Sequence, residues 1–336
     1  MKDVYILSVE TSCDETSLAI VKNGHEVVAL EVYTQMDTHA LFGGVVPEIA
    51  SRMHTEAITL VLDSLLKKSN FDLENIDAIA VTYAPGLMGG LLVGIEFAKT
   101  LSFIYNKPLI KVNHMVGHIY ANNIESKLEF PLLAMVVSGG HTELVEMNGD
   151  YDFKLLGSTL DDAIGEAYDK VARVLDVPYP GGPNVEKLAR EGNACYQLAK
   201  PVDDDSLNFS YSGLKSSVIN FVHNSNQRGE NINKNDLAAS FQFFAVDEVI
   251  RKIQIALSRK QYKMIVLAGG VSANQYLRAE TQKIADKFSV KLCVPSMIYC
   301  TDNAAMIGAA AYPLFIKKQN FADFSLNAVS HISTVE

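Results

Sequence analysis

The chain has 336 residues, 48% of them hydrophobic and 20% charged, with 29 basic against 39 acidic side chains and a formal net charge of −10. That length suits two domains of ordinary size, and that composition excludes a disordered or fibrous protein. The negative balance argues against a protein that grips nucleic acid over its whole surface, while leaving room for a local basic patch.

In chain order, apolar runs at Val4–Glu10, Ser17–Lys22 and Val27–Tyr33 read as strands. Asn23-Gly24 between the second and third is a strong hairpin signal. Pro47-Glu48 opens a helix in which Ile49, Met53, Ala57, Leu60, Val61 and Leu65 recur at spacings of three and four. A strand Ile76–Thr82, a loop Ala84–Gly90, a helix to about Tyr105, a strand Leu109–Val112 and a helix carrying His114 and His118 complete this half.

The order then repeats, with strands at Leu132–Val137, Glu143–Met147 and Asp152–Leu156, a helical pattern over Asp161–Leu175, and a strand Met264–Ala268 ending in Gly269-Gly270. A helix from Asn274, a strand Val290–Val294 and a last helix from Asp302 follow, with an extra segment, Tyr179 to Lys260, inside the second half. The expected architecture is α/β, with domains at 1–112 and 113–336, an insertion at about 179–260, the last helix returning to the first domain, and a site in the cleft between the halves. This duplicated pattern resembles the actin, sugar-kinase and heat-shock ATPase superfamily, an actin-like two-domain fold that implies a nucleotide without fixing the reaction.

Within that frame, Val136-Val137-Ser138-Gly139-Gly140-His141-Thr142-Glu143 reads as a hairpin whose tip can approach a ligand. The two glycines remove Cβ atoms that would hold backbone N–H groups away from a phosphate, although a bare turn reads the same way. On a helix His114 and His118 face one side and can present two imidazoles to one metal ion, or they are ordinary core or surface histidines. A zincin peptidase needs His-Glu-x-x-His, and Met115-Val116-Gly117 stand between these two histidines instead. Asp14 and Glu15, in the turn after the first strand, are candidates for general-base or substrate-orienting work, or solvated turn acids. Asp169 shares a helix face with Asp162 and Glu166, where Lys170 and Arg173 could make it a salt-bridged surface. Asn274 reads as a helix N-cap.

Glu10–Thr16, Phe42–Glu48, Ala84–Leu87, Asn113–His118, Val137–Thr142, Tyr179–Pro183, Phe209–Lys215, Ala268–Asn274 and Cys300–Asn303 together resemble the motifs of the bacterial tRNA threonylcarbamoyladenosine transferase family, in that family's order over almost the whole chain. The resemblance implies an acyltransferase that moves a threonylcarbamoyl group from threonylcarbamoyl-AMP to the exocyclic amine of the adenosine just 3′ of the anticodon, in tRNAs reading codons that begin with A. It implies His114, His118 and Asp302 as ligands of one divalent metal, Fe2+ or Zn2+. It also implies Val136, Val137, Ser138, Gly139 and Gly140 against the adenylate and its phosphate, Asp169 on the ribose, and Gly182, Glu186 and Asn274 near the nucleoside. Glu186 stands where many relatives carry aspartate. The resemblance further implies a paralogous partner of the same fold and a small P-loop ATPase.

Lys215, Arg251, Lys252, Arg259, Lys260 and Lys263 are candidates for contacts to tRNA phosphates, or simply a solvated surface. The rival functions are a sugar-kinase-like phosphotransferase on the same fold and a nucleotide-holding scaffold. Cys13, Cys195, Cys293 and Cys300 lack any Cys-x-x-Cys spacing, so reduced thiols are expected. No targeting signal is read, and no uninterrupted apolar run approaches the roughly 20 residues of a membrane helix, so a cytosolic protein is expected.

Overall fold

The computed structural model describes residues 2–200 and 205–334. They form two units, one of Met1–Leu128 with Pro295–Glu336 and one of Glu129–Val294. In the first unit the chain makes β1 (Tyr5–Glu10), β2 (Glu15–Lys22), β3 (Glu26–Thr34), α1 (Met36–Ala40), α2 (Pro47–Ser69), β4 (Ala78–Ala84), α3 (Met88–Tyr105), β5 (Leu109–Asn113) and α4 (His114–Glu125). The second unit holds β6 (Leu132–Val137), β7 (Thr142–Gly149), β8 (Asp152–Ser158), α5 (Ile164–Val174), α6 (Gly181–Arg190), α7 (Ser212–Arg228), α8 (Lys234–Arg259), β9 (Met264–Ala268), α9 (Gln275–Phe288) and β10 (Lys291–Cys293). The chain then returns to the first unit as α10 (Met297–Cys300), α11 (Ala304–Lys317) and β11 (Phe321–Ala322).

The two sheets repeat one topology. Their strand orders are β11-β5-β4-β1-β2-β3 and β10-β9-β6-β7-β8. In each, the first three strands form an antiparallel meander, and the two later strands pair parallel beside the first. The fold is therefore the duplicated α/β architecture that the order of apolar runs led us to expect. The β2–β3 turn has Asn23 at φ 54° and Gly24 at φ 73°, left-handed at both positions as the Asn-Gly signal requires.

β1 is buried along nearly its whole length because helices cover both faces of its sheet. On one face Leu7, Val9, Leu18, Ile20, Ile79 and Val81 pack with Ala57 and Val61 of α2 and Leu91 and Ile95 of α3. On the other, Ala19 and Val21 meet Ala304 and Ala305 of α11. In the second unit, Leu133, Met135, Val137 and Leu144 pack with residues of α5 and α8, so the 179–260 segment shares that unit's core. Instead of the boundary expected after residue 112, α4 lies in the first unit and packs against α11, and the chain from Pro295 onward, not the last helix alone, belongs to that unit as well.

α3 has the 18-residue length and mean hydropathy, 1.2, of a minimal membrane span, a property that periodic reading of the sequence passed over. Its Leu91, Ile95 and Ala98 lie in the first unit's core. All four cysteines are free thiols.

Two buried serines seat α11. Ser8 Oγ donates to the Ala304 carbonyl at 2.6 Å, and Ser17 Oγ accepts the Ala304 N–H at 2.9 Å. Close approach of this helix also depends on Gly308, where a Cβ would stand 2.6 Å from Val21 Cγ2 and 3.0 Å from Ser8 Oγ. Gly308→Ala is expected to cost about 1–3 kcal/mol by overpacking, read as a lower urea midpoint with an unchanged slope.

Candidate active site and metal centre

Within the first unit, α4 and α11 bring together side chains far apart in sequence. Asn113 caps α4, its Oδ1 accepting the N–H groups of Met115 and Val116 at 2.8 and 3.3 Å. That fixes the first turn, from which His114 and His118 project one turn apart. Gly117 between them faces α11, where a Cβ would lie 2.7 Å from Ile307 Cδ1, so the glycine lets the helices close. Asn303, rather than Asp302, is the N-cap of α11, and the helix begins at Ala304. Asp302 is left just ahead of the cap, with Oδ1 3.4 Å from His114 Nε2 and 3.2 Å from His118 Nε2.

The donor atoms of His114, His118 and Asp302 all lie within 4.8 Å of one another. Both histidines are buried and Asp302 is partly so. Two imidazole nitrogens and a carboxylate oxygen converging on one point suit a divalent cation that keeps open coordination positions. Burial holds the His118 pKa below its usual value, leaving a neutral imidazole available as a ligand. Burial also disfavours charge on His114, but Asp302 and Glu10 overcome it and raise the pKa well above the usual histidine value. At Asp302 burial favours the protonated form, and His114 and His118 outweigh it, holding the carboxyl ionised.

The sequence reading missed the support of this cluster. Glu10, at the end of β1 and fully buried, accepts the Ser12 N–H at 2.7 Å through Oε1. Its Oε2 accepts the Thr82 hydroxyl at 2.5 Å and lies 3.0 Å from His114 Nδ1. Glu10 stands inside the quoted Glu10–Thr16 motif, yet nothing in the sequence says that β1 and β4 are neighbours. A second buried set holds the following turn. His54 Nε2 lies 2.9 Å from the Cys13 carbonyl and His54 Nδ1 2.8 Å from Thr16 Oγ1. Burial lowers the His54 pKa, so a neutral ring donates to the carbonyl and accepts from the hydroxyl.

That turn carries Asp14, buried, and leads into Glu15, the first residue of β2, partly buried. The Glu15 carboxyl is pushed up to about 10 by burial and then by the charges of Asp302 and Asp14.

In the second unit the Ser138–His141 turn is closed by Ser138 N–H donating to the His141 carbonyl at 2.8 Å and His141 N–H donating to Ser138 Oγ at 3.0 Å. Val136 and Val137 are buried strand residues, so only their backbone can face a ligand. The glycines here divide by what a side chain would meet. At Gly165 a Cβ would sit 2.6 Å from the Ser138 carbonyl, and at Gly269, with φ 87°, 2.4 Å from the Val137 carbonyl. The hairpin tip is thereby held against both the start of α5 and the turn after β9. At Gly139 and Gly140 of the tip, and at Gly182 and Gly270, a Cβ would meet nothing within 4 Å.

Asp169, Glu186 and Asn274 occupy this same unit and are bonded into it. Asp169 Oδ1 accepts the Gly181 N–H at the start of α6 at 3.0 Å, and burial raises the Asp169 pKa against that bond. Glu186 Oε1 accepts the Gln275 N–H at 2.9 Å and pairs with Arg190 at 2.7 Å. Asn274 caps α9 through the Leu277 N–H, and its amide donates to Gln242 at 2.9 Å. Gln242 was not foreseen, because only folding carries it from α8 to this corner.

The cations considered for tRNA are mostly committed elsewhere. Lys215 is paired with Asp162, Arg251 with Glu248, and Lys260 with Glu146. Arg259 donates to the Asp205 carbonyl, and Lys252 is fully buried against Ser206 and Glu248. Lys252 cannot reach a phosphate, since its place on α8 turns it into the core.

A sequence model of the tRNA N6-adenosine threonylcarbamoyltransferase family matches residues 26–309. The chain belongs to this family. Proteins so named from Anoxybacillus flavithermus and Bacillus subtilis are 53% and 52% identical to it, the first covering 97% of this chain and 96% of its own length, the second 94% and 92%. Among solved structures, HypF from T. kodakarensis aligns over 94% of this chain and 48% of its own, with TM-score 0.61 and 14% identity. The component A of (R)-2-hydroxyglutaryl-CoA dehydratase from Acidaminococcus fermentans aligns over 92% and 98%, with TM-score 0.53 and 14% identity. At that identity the two likenesses concern the fold alone.

A raised carboxyl pKa penalises folding once pH exceeds the unfolded value of about 4.5, and the penalty grows until the folded value is reached. Metal-free Glu15→Gln should therefore match the wild type at pH 4 and melt above it at pH 8, as followed by circular dichroism. Equal melting temperatures at both pH values would contradict the burial argument.

Proposed function

We propose that this chain transfers a threonylcarbamoyl group from threonylcarbamoyl-AMP to the N6 amine of the adenosine at tRNA position 37, in tRNAs reading codons that begin with A. The N6–carbonyl bond forms, the bond from that carbonyl carbon to the phosphate oxygen breaks, AMP leaves, and the amine gives up a proton. The observation that carries this reading is the buried convergence of His114, His118 and Asp302, in a chain that belongs to this family.

His114, His118 and Asp302 would hold one divalent metal, with Fe2+ or Zn2+ suited to two imidazoles and a carboxylate. Bound there, the metal would supply Lewis-acid polarisation to the threonyl end of the donor. Ser138, Gly139 and Gly140 would take the phosphate on backbone N–H groups, with Val136 and Val137 setting the strand behind them. Asp169 would accept from the ribose hydroxyls, and Gly182, Glu186 and Asn274 would border the nucleoside. Asp14 would take the proton from the attacking amine. Glu15, beside it, would orient the substrate.

An acidic surface is a poor match for tRNA alone. That supports a paralogous partner of the same fold and a small P-loop ATPase contributing to assembly, with the reaction in the cytoplasm.

Mass spectrometry of nucleosides from unmodified tRNA incubated with this protein, threonylcarbamoyl-AMP and metal, with and without such partners, tests the reading. Threonylcarbamoyladenosine should appear only when the protein is present. Its absence in every combination, while the same partners work beside a known transferase, would overturn it. His118→Ala and Asp14→Asn should each lower product formation about 100-fold or more, with the circular dichroism spectrum unchanged.

A further inference from the structure

We propose that Glu10 is the positioning residue of the metal centre, holding a proton on His114 Nδ1 so that Nε2, on the Asp302 side, is the nitrogen left to bind the metal. The inference rests on the metal reading above and goes beyond it to a residue that binds neither metal nor substrate.

Three donors converge on this buried carboxylate: the Ser12 N–H on Oε1, and the Thr82 hydroxyl and His114 Nδ1 on Oε2. An ionised carboxylate offers no proton, so Nδ1 must carry one for the 3.0 Å contact to be a hydrogen bond. With Nδ1 so committed, Nε2 is the nitrogen that gives up its proton when a metal binds. That nitrogen lies 3.4 Å from Asp302 Oδ1, on the side where His118 Nε2 also converges. A carboxylate behind a ligating imidazole fixes its ring and tautomer and makes it more basic. Ser12 Oγ, 3.1 Å from the same Nδ1, is a rotatable hydroxyl and does not dictate a tautomer.

Glutamine at position 10 separates this role from simple space filling. Its amide has one acceptor atom and one donor atom where three donors are arranged. The Ser12 N–H belongs to the backbone and cannot turn away, so the amide oxygen must take the Oε1 place. The amide NH2 then faces Thr82, whose hydroxyl can rotate to accept, and His114 Nδ1, which can accept only if the ring proton moves to Nε2. That proton occupies the lone pair the metal needs.

The test is competition of the full-length protein with a chelator for Zn2+, together with 15N spectra of the histidine side chains in the zinc-loaded protein. Glu10→Gln should weaken zinc binding by about 10–100-fold. Its His118 resonance should still respond to zinc, whereas the His114 ring no longer shows a metal-bound Nε2. Equal affinity and an unchanged His114 signal would overturn the Glu10 proposal while leaving the metal reading intact. A wild-type protein that takes up no zinc would overturn both. Should Glu10→Gln fail to fold, Glu10→Asp keeps the charge but retracts the oxygens by one methylene, and it should bind zinc more weakly than the wild type with the His114 tautomer preserved. Wild-type affinity in that variant would equally refute the proposal.

Discussion

The first unit is arranged around a carboxylate that could not be buried alone. Moving an isolated charge out of water is prohibitive unless it is paired and hydrogen-bonded. Glu10 is fully buried and meets that condition with a backbone N–H, a hydroxyl and an imidazole. Each requirement constrains a different element. The Ser12 N–H demands the turn after β1, Thr82 demands that β4 lie beside β1, and His114 demands that α4 begin immediately after β5. Removing one partner would leave a buried charge underbonded, so the arrangement behaves as one unit rather than a sum of contacts.

In the second unit, glycines set the packing at the hairpin. At Gly139, Gly140, Gly182 and Gly270 a Cβ would meet nothing within 4 Å. Gly165 and Gly269 act differently, since any Cβ there would strike the hairpin's own carbonyls. One residue type thus has two settings in the same unit, a close-packed support and an uncrowded tip. Sequence shows both as glycine, and only the contacts tell them apart.

The legibility of the sequence follows the range of the interaction. β6 and β9 lie where the apolar runs predicted them, and the Asn23-Gly24 turn has the predicted backbone, because strand burial and turn geometry are local. Short elements held by tertiary contacts, α1, α10 and the two-residue β11, left no periodic signal. The His114–His118 spacing was visible at once, whereas Glu10, Thr82, His54 and Gln242 depend on which strands and helices become neighbours. The basic residues of α8 misled for the same reason, since a lysine reads as surface until the fold shows Lys252 turned inward.

The repeated topology explains how Asp302 comes to meet His114. In each half the fifth strand of the repeat is followed by helical chain, α4 after β5, and α10 with α11 after β10. The second of these returns to the first unit and packs α11 against α4. Two histidines on one of these equivalent helices and a carboxylate beside the other then share a point, although nearly two hundred positions separate them in the chain. The repeats have diverged chemically in the turn after their first strands. Asp14 lies in that turn and Glu15 at its exit in the first half, while Ser138, Gly139 and Gly140 occupy it in the second. Acids and imidazoles suit a cation, whereas a turn of serine and glycines carries no charge of its own, so one duplicated fold presents two different chemistries at equivalent places.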